Sequence, residues 1–309
     1  GELWICYIPY AITINGNLSA AGKIYIDYDA GGIEINGDIT TTSYVSLTGS
    51  SSITLNDNIN AGTSVGVYSY SGNITLNDDI TAGTCVNIIS TSGTITQAAG
   101  TITSGTYTTL DSTGTSTIRS INSGDEINFN VNTSATYNLG SSTIVADGDV
   151  AIQAAAIVNA NTSTWQVGGN WTNSGLFTAD TSSVIFSSND TGKTITSGGS
   201  AFYNVLFYSG GVWTLQDNFD ADNDMTVTAG TINVGSGRTI NVDGTLTING
   251  GTITGASNNV TITANAITHS SGSITTTTSG DITIDSTGTP GAFSFDVIMS
   301  AGNISTGET

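Results

Sequence analysis

The chain has 309 residues, four of them basic, twenty-four acidic and one histidine, for a formal net charge of −20. Such a chain repels phosphate backbones and anionic lipid, which argues against nucleic-acid and membrane-surface partners. It has no run of about 18 apolar residues, so no helix that inserts in a membrane is expected.

Two cysteines, Cys6 and Cys85, make neither a disulfide framework nor a metal cluster. Ile, Val and Thr favour strands, and Gly, Asn and Asp favour the turns between them.

In chain order, the first residues, "ELWICYIPY", are apolar and strand-like. A repeat follows. Ile12, Ile33, Ile53, Ile74 and Ile95 stand 21, 20, 21 and 21 residues apart. Two positions after the first four come Ile14, Ile35, Leu55 and Leu76; six after, Leu18, Ile39, Ile59 and Ile80. Twelve and fourteen after come the pairs Ile24/Ile26, Val45/Leu47, Val65/Val67 and Val86/Ile88. Pairs spaced by two lie on one face of a strand. Three short strands per repeat, each pointing one row inward and separated by turns, describe a rung of a parallel β-solenoid. Stacked rungs lie about 4.8 Å apart, so like residues form interior columns. A single rung cannot bury its apolar face alone, and only a stack is stable.

Three residues after the first four aligned isoleucines come Asn15, Asn36, Asn56 and Asn77. Four asparagines in register at a turn predict a ladder in which each amide bonds its neighbour one rung away. Asp57, Asp78 and Asp79 share that turn. Residues 111–165 repeat least clearly. Residues 165–220 keep the period with aromatics, since Val184 and Phe186 precede Val205 and Phe207 by 21. Trp165, Trp171, Phe177, Phe202 and Trp213 belong to the same region. From 221 onward the aliphatic rungs return, from Met225/Val227 through Leu246/Ile248 to Ile282/Ile284. At about 21 residues per rung, the length predicts roughly fifteen rungs in one continuous all-β solenoid, a rod about 70 Å long.

Chemistry-bearing residues are sparse. Asp217, Asp220, Asp222 and Asp224 in "DNFDADND" form a calcium candidate, because calcium favours clustered carboxylates. The stretch lacks the Gly and Glu of an EF-hand loop, and no other cofactor is expected. A lyase needs a base with cationic help, and Lys23, Arg119, Lys193, Arg238 and His269 are scattered along the chain. A hydrolase needs paired carboxylates in a walled cleft, and no long loops flank the acidic turns. No catalysis is expected. By register His269 falls under Val227 and Ile248, and "ITHSSGSIT" matches "ITQAAGTIT", placing it where Gln97 stands. Both read as polar side chains ending a strand and bonding backbone. Outward Thr54, Thr75 and Thr96 offer an ice-binding array, interrupted at Glu34. Among the sequons, Asn73 and Asn170 read as outward glycosylation candidates.

"ITLNDDITAG" and "ITQAAGTIT" resemble the repeats of filamentous-haemagglutinin-type exoproteins. The stretch "GNWTNSGLFTADTSSVIFSSNDTGKTITSGGSAFYNVLFYSGGVWTL", with "AGTINVGSGRTINVDGTLTINGG" after it, resembles β-strand-repeat surface proteins of bacteria. The resemblance implies a right-handed β-helix, export, and a secreted or surface-attached adhesin, sheath or fibre component.

Counting back from Ile12, residues 1–10 form the end of a rung, while "GNIST" begins one as "GNITL" does. The expectation is head-to-tail stacking in a homopolymer, with Leu3, Trp4, Ile5, Tyr7, Ile8, Tyr10, Phe293, Phe295 and Ile304 at the contact. The rival is a segment of a longer solenoid. The functional expectation is an extracellular structural protein of a fibre, sheath or surface layer. The alternative is an adhesin for glycan or another cell, favoured if the aromatics of 165–213 are exposed.

Overall fold

The computed structural model describes residues 1–6, 10–28, 31–129, 134–276, 280–287, 297–299 and 304–308. Every strand pairing among them that carries a register is parallel, and no helix forms. The chain is a parallel β-solenoid with about 21 residues per turn and about 13 turns. The count falls slightly below the expected fifteen, and single rungs vary in length. Trp171, for example, pairs with Ile195, 24 residues on. Contacts divide the chain into two units, Gly1–Ser163 and Thr164–Thr309.

In the first unit each rung contributes three strands. The first strands, Ile12–Asn15, Ile33–Asn36, Ile53–Leu55, Ile74–Leu76 and Ile95–Gln97, stack in register, with Ile12 on Ile33, Ile33 on Ile53, Ile53 on Ile74 and Ile74 on Ile95. The second strands run Leu18–Ala20, Ile39–Thr41, Ile59–Ala61, Ile80–Ala82 and Ile102–Ser104. The third run Leu3–Cys6, Ile24–Tyr28, Val45–Gly49, Val65–Ser69, Val86–Ser90 and Thr108–Asp111. Alternation buries Ile24, Ile26, Val45, Leu47, Val65, Val67, Val86 and Ile88 and turns Tyr25, Ser46 and Asn87 outward, while Gly66 between Val65 and Val67 is covered. Each fully buried aliphatic contributes roughly 1.5–3 kcal/mol.

The second and third strands of a rung meet at a tight turn built on glycine. A Cβ on Gly83 would lie 2.1 Å from the carbonyl oxygen of Gly62, and one on Gly105 would lie 2.1 Å from that of Gly83. Rungs pass so closely here that only hydrogen fits. Gly83 N–H donates to Ala61 O at 3.0 Å and Thr84 N–H to Thr63 O, which joins the turns from rung to rung.

Residues 111–163 keep the fold while losing the even period. Ile102 pairs with Ile121, 19 residues on, and Ile121 with Ile144, 23 residues on. The interior also changes chemistry. Ser104, Thr108, Ser112, Ser116 and Ser123 are buried. Their hydroxyls bond each other, Ser104 to Thr108 at 2.9 Å and Ser112 to Ser116 at 2.9 Å, so each buried polar group is satisfied as burial requires.

In the second unit Trp165 pairs with Val184, Val184 with Val205, Val205 with Met225 and Met225 with Leu246. Leu246 then pairs with Ile267. The strand Ile304–Glu308 pairs with Ile282–Ser286, with Ile304 on Ile282, so "GNIST" does open a rung.

Candidate functional site

The predicted asparagine ladder forms. Asn36 Nδ2 donates to Asn15 Oδ1 at 2.9 Å, Asn56 donates to Asn36, and Asn77 Nδ2 donates to Asn56 Oδ1 at 2.6 Å. The device recurs between Asn159 and Asn138 at 2.8 Å, and between Asn223 and Asn204 at 2.8 Å. Each bond contributes about 1 kcal/mol net.

A second device accounts for much of the turn acidity. An Asn or Asp oxygen accepts a backbone N–H from the next rung: Asp79 Oδ1 from Thr101 at 2.7 Å, Asn73 Oδ1 from Thr94 at 3.0 Å, Asn218 Oδ1 from Thr239 at 3.2 Å. Here the side chain supplies the acceptor that the strand ladder no longer offers. Two of the four calcium-candidate aspartates, Asp217 and Asp224, belong to this device. Asp217 accepts from Ser197 N–H at 2.9 Å, Ser197 Oγ at 3.0 Å and, in the other rung direction from the examples above, Gly198 N–H at 2.7 Å. Asp224 Oδ1 accepts from Thr245 N–H at 2.8 Å. Asp220 is partly buried, and that burial, followed by Asp222, Asp243 and Asp217, raises its pKa above the ordinary carboxylate value. Among the described residues no three His, Cys, Asp or Glu side chains converge as metal ligands.

His269 and Gln97 occupy matching places. Ile248 pairs with His269, and Val227 with Ile248. The His269 Nε2 lies 3.1 Å from Gly272 O, and Gln97 Nε2 donates to Gly100 O at 2.8 Å, each three residues on. Gln97 ends the strand Ile95–Gln97, whereas His269 lies inside the strand Val260–Thr276, beside a break in its register. The cations are dispersed: Lys23 lies 3.9 Å from Glu2, Lys193 lies 3.7 Å from Asp190, and Arg119 donates to Ala98 O at 2.7 Å. Cys6 and Cys85 are free thiols. Asn73 is exposed, whereas Asn170 is half-buried, its Oδ1 accepting from Thr194 N–H at 2.8 Å and Thr194 Oγ1 at 3.0 Å. Thr54, Thr75 and Thr96 stack in register beside Glu34.

Of the assembly residues, Leu3, Trp4 and Ile5 lie in the strand Leu3–Cys6, paired with Ile24–Tyr28, and Tyr10 is strongly exposed. Tyr7, Ile8, Phe293 and Phe295 lie outside the described residues.

The aromatics of 165–213 point inward. Trp165, Trp171 and Trp213 are each 0% exposed, and Phe177, Phe186, Phe202, Phe207 and Phe219 are buried with them. They form columns of their own. Phe186 stacks on Phe207 at 5.0 Å and Phe202 on Phe219 at 5.1 Å, while Trp171 meets Phe177 edge-on at 5.0 Å. The indole N–H groups of Trp171 and Trp213 are buried without a hydrogen-bond partner. An unpaired buried donor costs about 1–3 kcal/mol, which the ring burial offsets.

Outward-facing aromatics include Trp4 and several tyrosines of the first unit, and Tyr208 of the second. Tyr25, Ser46, Gly66 and Asn87 are paired in one outward column, preceded by Trp4. Tyr68 lies one outward position further along its strand, and its ring lies over Gly66: a Cβ on that glycine would meet Tyr68 Cε2 at 2.5 Å. Between Tyr44 and Tyr68 opens a notch of about 250 Å³ lined also by Ser46, Ser64, Cys85 and Asn87. Burial, then Cys85 and Tyr107, raise the Tyr68 pKa above the ordinary tyrosine value. The repeat marked these residues only indirectly, as aromatic and glycine letters between inward valines and isoleucines in "IYID" and "VGVYS". No family model, curated protein or solved structure matches the chain.

Proposed function

We propose that this chain is an extracellular structural protein, a β-solenoid that builds a fibre, sheath or surface layer by axial association with copies of itself. The observation that carries this reading is the burial of the aromatic rungs. An adhesin built on residues 165–213 needs those rings on its surface, and Trp165, Trp171 and Trp213 are interior. They serve packing. The polar residues at the turns serve the same end, since asparagine amides and aspartate carboxylates are spent on bonds from one rung to the next. Parallel strand edges at the end of any such stack present unpaired backbone groups, which another copy satisfies. The extracellular placement rests on the resemblance of the repeats to exported bacterial surface proteins.

Negative-stain imaging of the purified chain over rising concentration tests the proposal. Filaments one solenoid wide, lengthening with concentration, are expected. Dispersed particles at every concentration refute it.

A further inference from the structure

We propose that the outer face of the sheet formed by Ile24–Tyr28, Val45–Gly49, Val65–Ser69 and Val86–Ser90 binds a neutral glycan chain, with one sugar ring seated in the notch between Tyr44 and Tyr68. This goes beyond the structural role and does not depend on assembly.

The first argument is the composition of the notch. Tyr44 and Tyr68 are the two aromatic residues of its lining, and Ser46, Ser64 and Asn87 add hydroxyl and amide groups. A sugar offers the matching surface, C–H patches beside a rim of hydroxyls. Binding sites of this kind pair aromatic walls with a few polar groups that fix orientation.

The second argument is Gly66. It occupies an outward position on a third strand, where Ser46 and Asn87 precede and follow it in the column. Any side chain there would collide with the ring of Tyr68, the nearest ring atom being 2.5 Å from the Cβ position. The missing side chain lets Tyr68 fold down along the sheet until its ring covers Gly66, which is buried beneath it, so the ring lies along the sheet where it lines the notch. Packing of the core asks nothing of this position, because it faces away from the core.

Size and charge narrow the ligand. About 250 Å³ is less than the roughly 300–1,000 Å³ of sites that enclose a drug-sized ligand, so the notch holds part of a molecule. The column continues to Tyr25 and Trp4, whose rings are 4.9 Å apart, which gives a chain of sugars further surface along the axis. The nearest cation, Lys23, is already placed over the Tyr44 ring, 5.4 Å from its centroid, and near Glu2. With a net charge of −20, the molecule repels sulfated and uronic-acid polymers and accepts uncharged ones.

The test is titration of the folded full chain with cellohexaose, chitohexaose and heparin, read by calorimetry and saturation-transfer NMR. At least one neutral hexasaccharide is expected to bind. Tyr68→Ala, and Gly66→Val, which displaces the Tyr68 ring, are each expected to weaken it by about tenfold or more, while Tyr208→Ala on the second unit changes nothing. Should Tyr68→Ala lose the native circular dichroism, Asn87→Ala decides in its place, with a weaker affinity expected. Four results overturn the proposal: no binding of either neutral sugar, preference for heparin, wild-type titration by the notch variants, or a sugar-free lateral dimer that Tyr68→Ala dissolves.

Discussion

Replacing Gly83 by alanine tests the stacking geometry directly. The new Cβ would lie 2.1 Å from Gly62 O, about 1.3 Å inside the 3.4 Å at which ordinary contact begins. Neither neighbour is a flexible side chain, so the backbone of two rungs must part. Opening by that amount carries Gly83 N–H and Thr84 N–H beyond hydrogen-bond reach of Ala61 O and Thr63 O. Two bonds at about 1 kcal/mol each, plus strain in the adjoining strands, give a loss of about 2–3 kcal/mol. Gly210→Ala is the control: its Cβ would find its nearest neighbour at 3.8 Å. That substitution should fall within about 0.5 kcal/mol of wild type. Native-state hydrogen exchange suits the comparison, because a solenoid opens locally and a single melting temperature blurs the effect. Faster exchange confined to the rungs around Ile59–Ala61, Ile80–Ala82 and Ile102–Ser104 is expected. If Gly83→Ala and Gly210→Ala exchange alike, the close approach of the rungs is wrong.

Asn56→Ala removes one amide that donates to Asn36 and accepts from Asn77. It should cost about 1–2 kcal/mol, read as faster exchange in the rungs on both sides. Asp220 gives a pH dependence of known sign. Its folded pKa is raised by burial and by Asp222, Asp243 and Asp217, so its favourable share is complete below the unfolded value and is lost as pH rises through the folded one. Asp220→Asn should therefore raise the melting temperature at about pH 7 and leave it unchanged at about pH 3, measured by calorimetry.

The parallel solenoid was legible because the first rungs repeat in both spacing and residue type. Ile53, Ile74 and Ile95 are paired as their spacing demanded, and Asn56 meets Asn77. The role of His269 was legible for the same reason, through its match to Gln97. The region after residue 111 was not, because a 19-residue rung is followed by one of 23 and buried hydroxyls replace the aliphatic signal. The backbone bonds of the acidic stretch were not legible, because composition cannot distinguish a carboxylate that binds a cation from one that accepts a backbone N–H, as Asp217 and Asp224 do. Facing was the other obstacle. Periodicity places Trp165 and Trp213 in rungs without showing that the rings fill the interior, and it draws the eye from Tyr44 and Tyr68, which line the open face.

Near-identical rungs also pose a threading problem during folding. A strand such as Ile74–Leu76 fits above Ile33–Asn36 almost as well as above Ile53–Leu55, so slipped alignments compete with the native one. The Phe186–Phe207 and Phe202–Phe219 stacks and the bond from the Tyr137 hydroxyl to Leu110 O set their rungs apart from the aliphatic ones. These odd rungs act as bookmarks, each telling its half of the chain which page it is on.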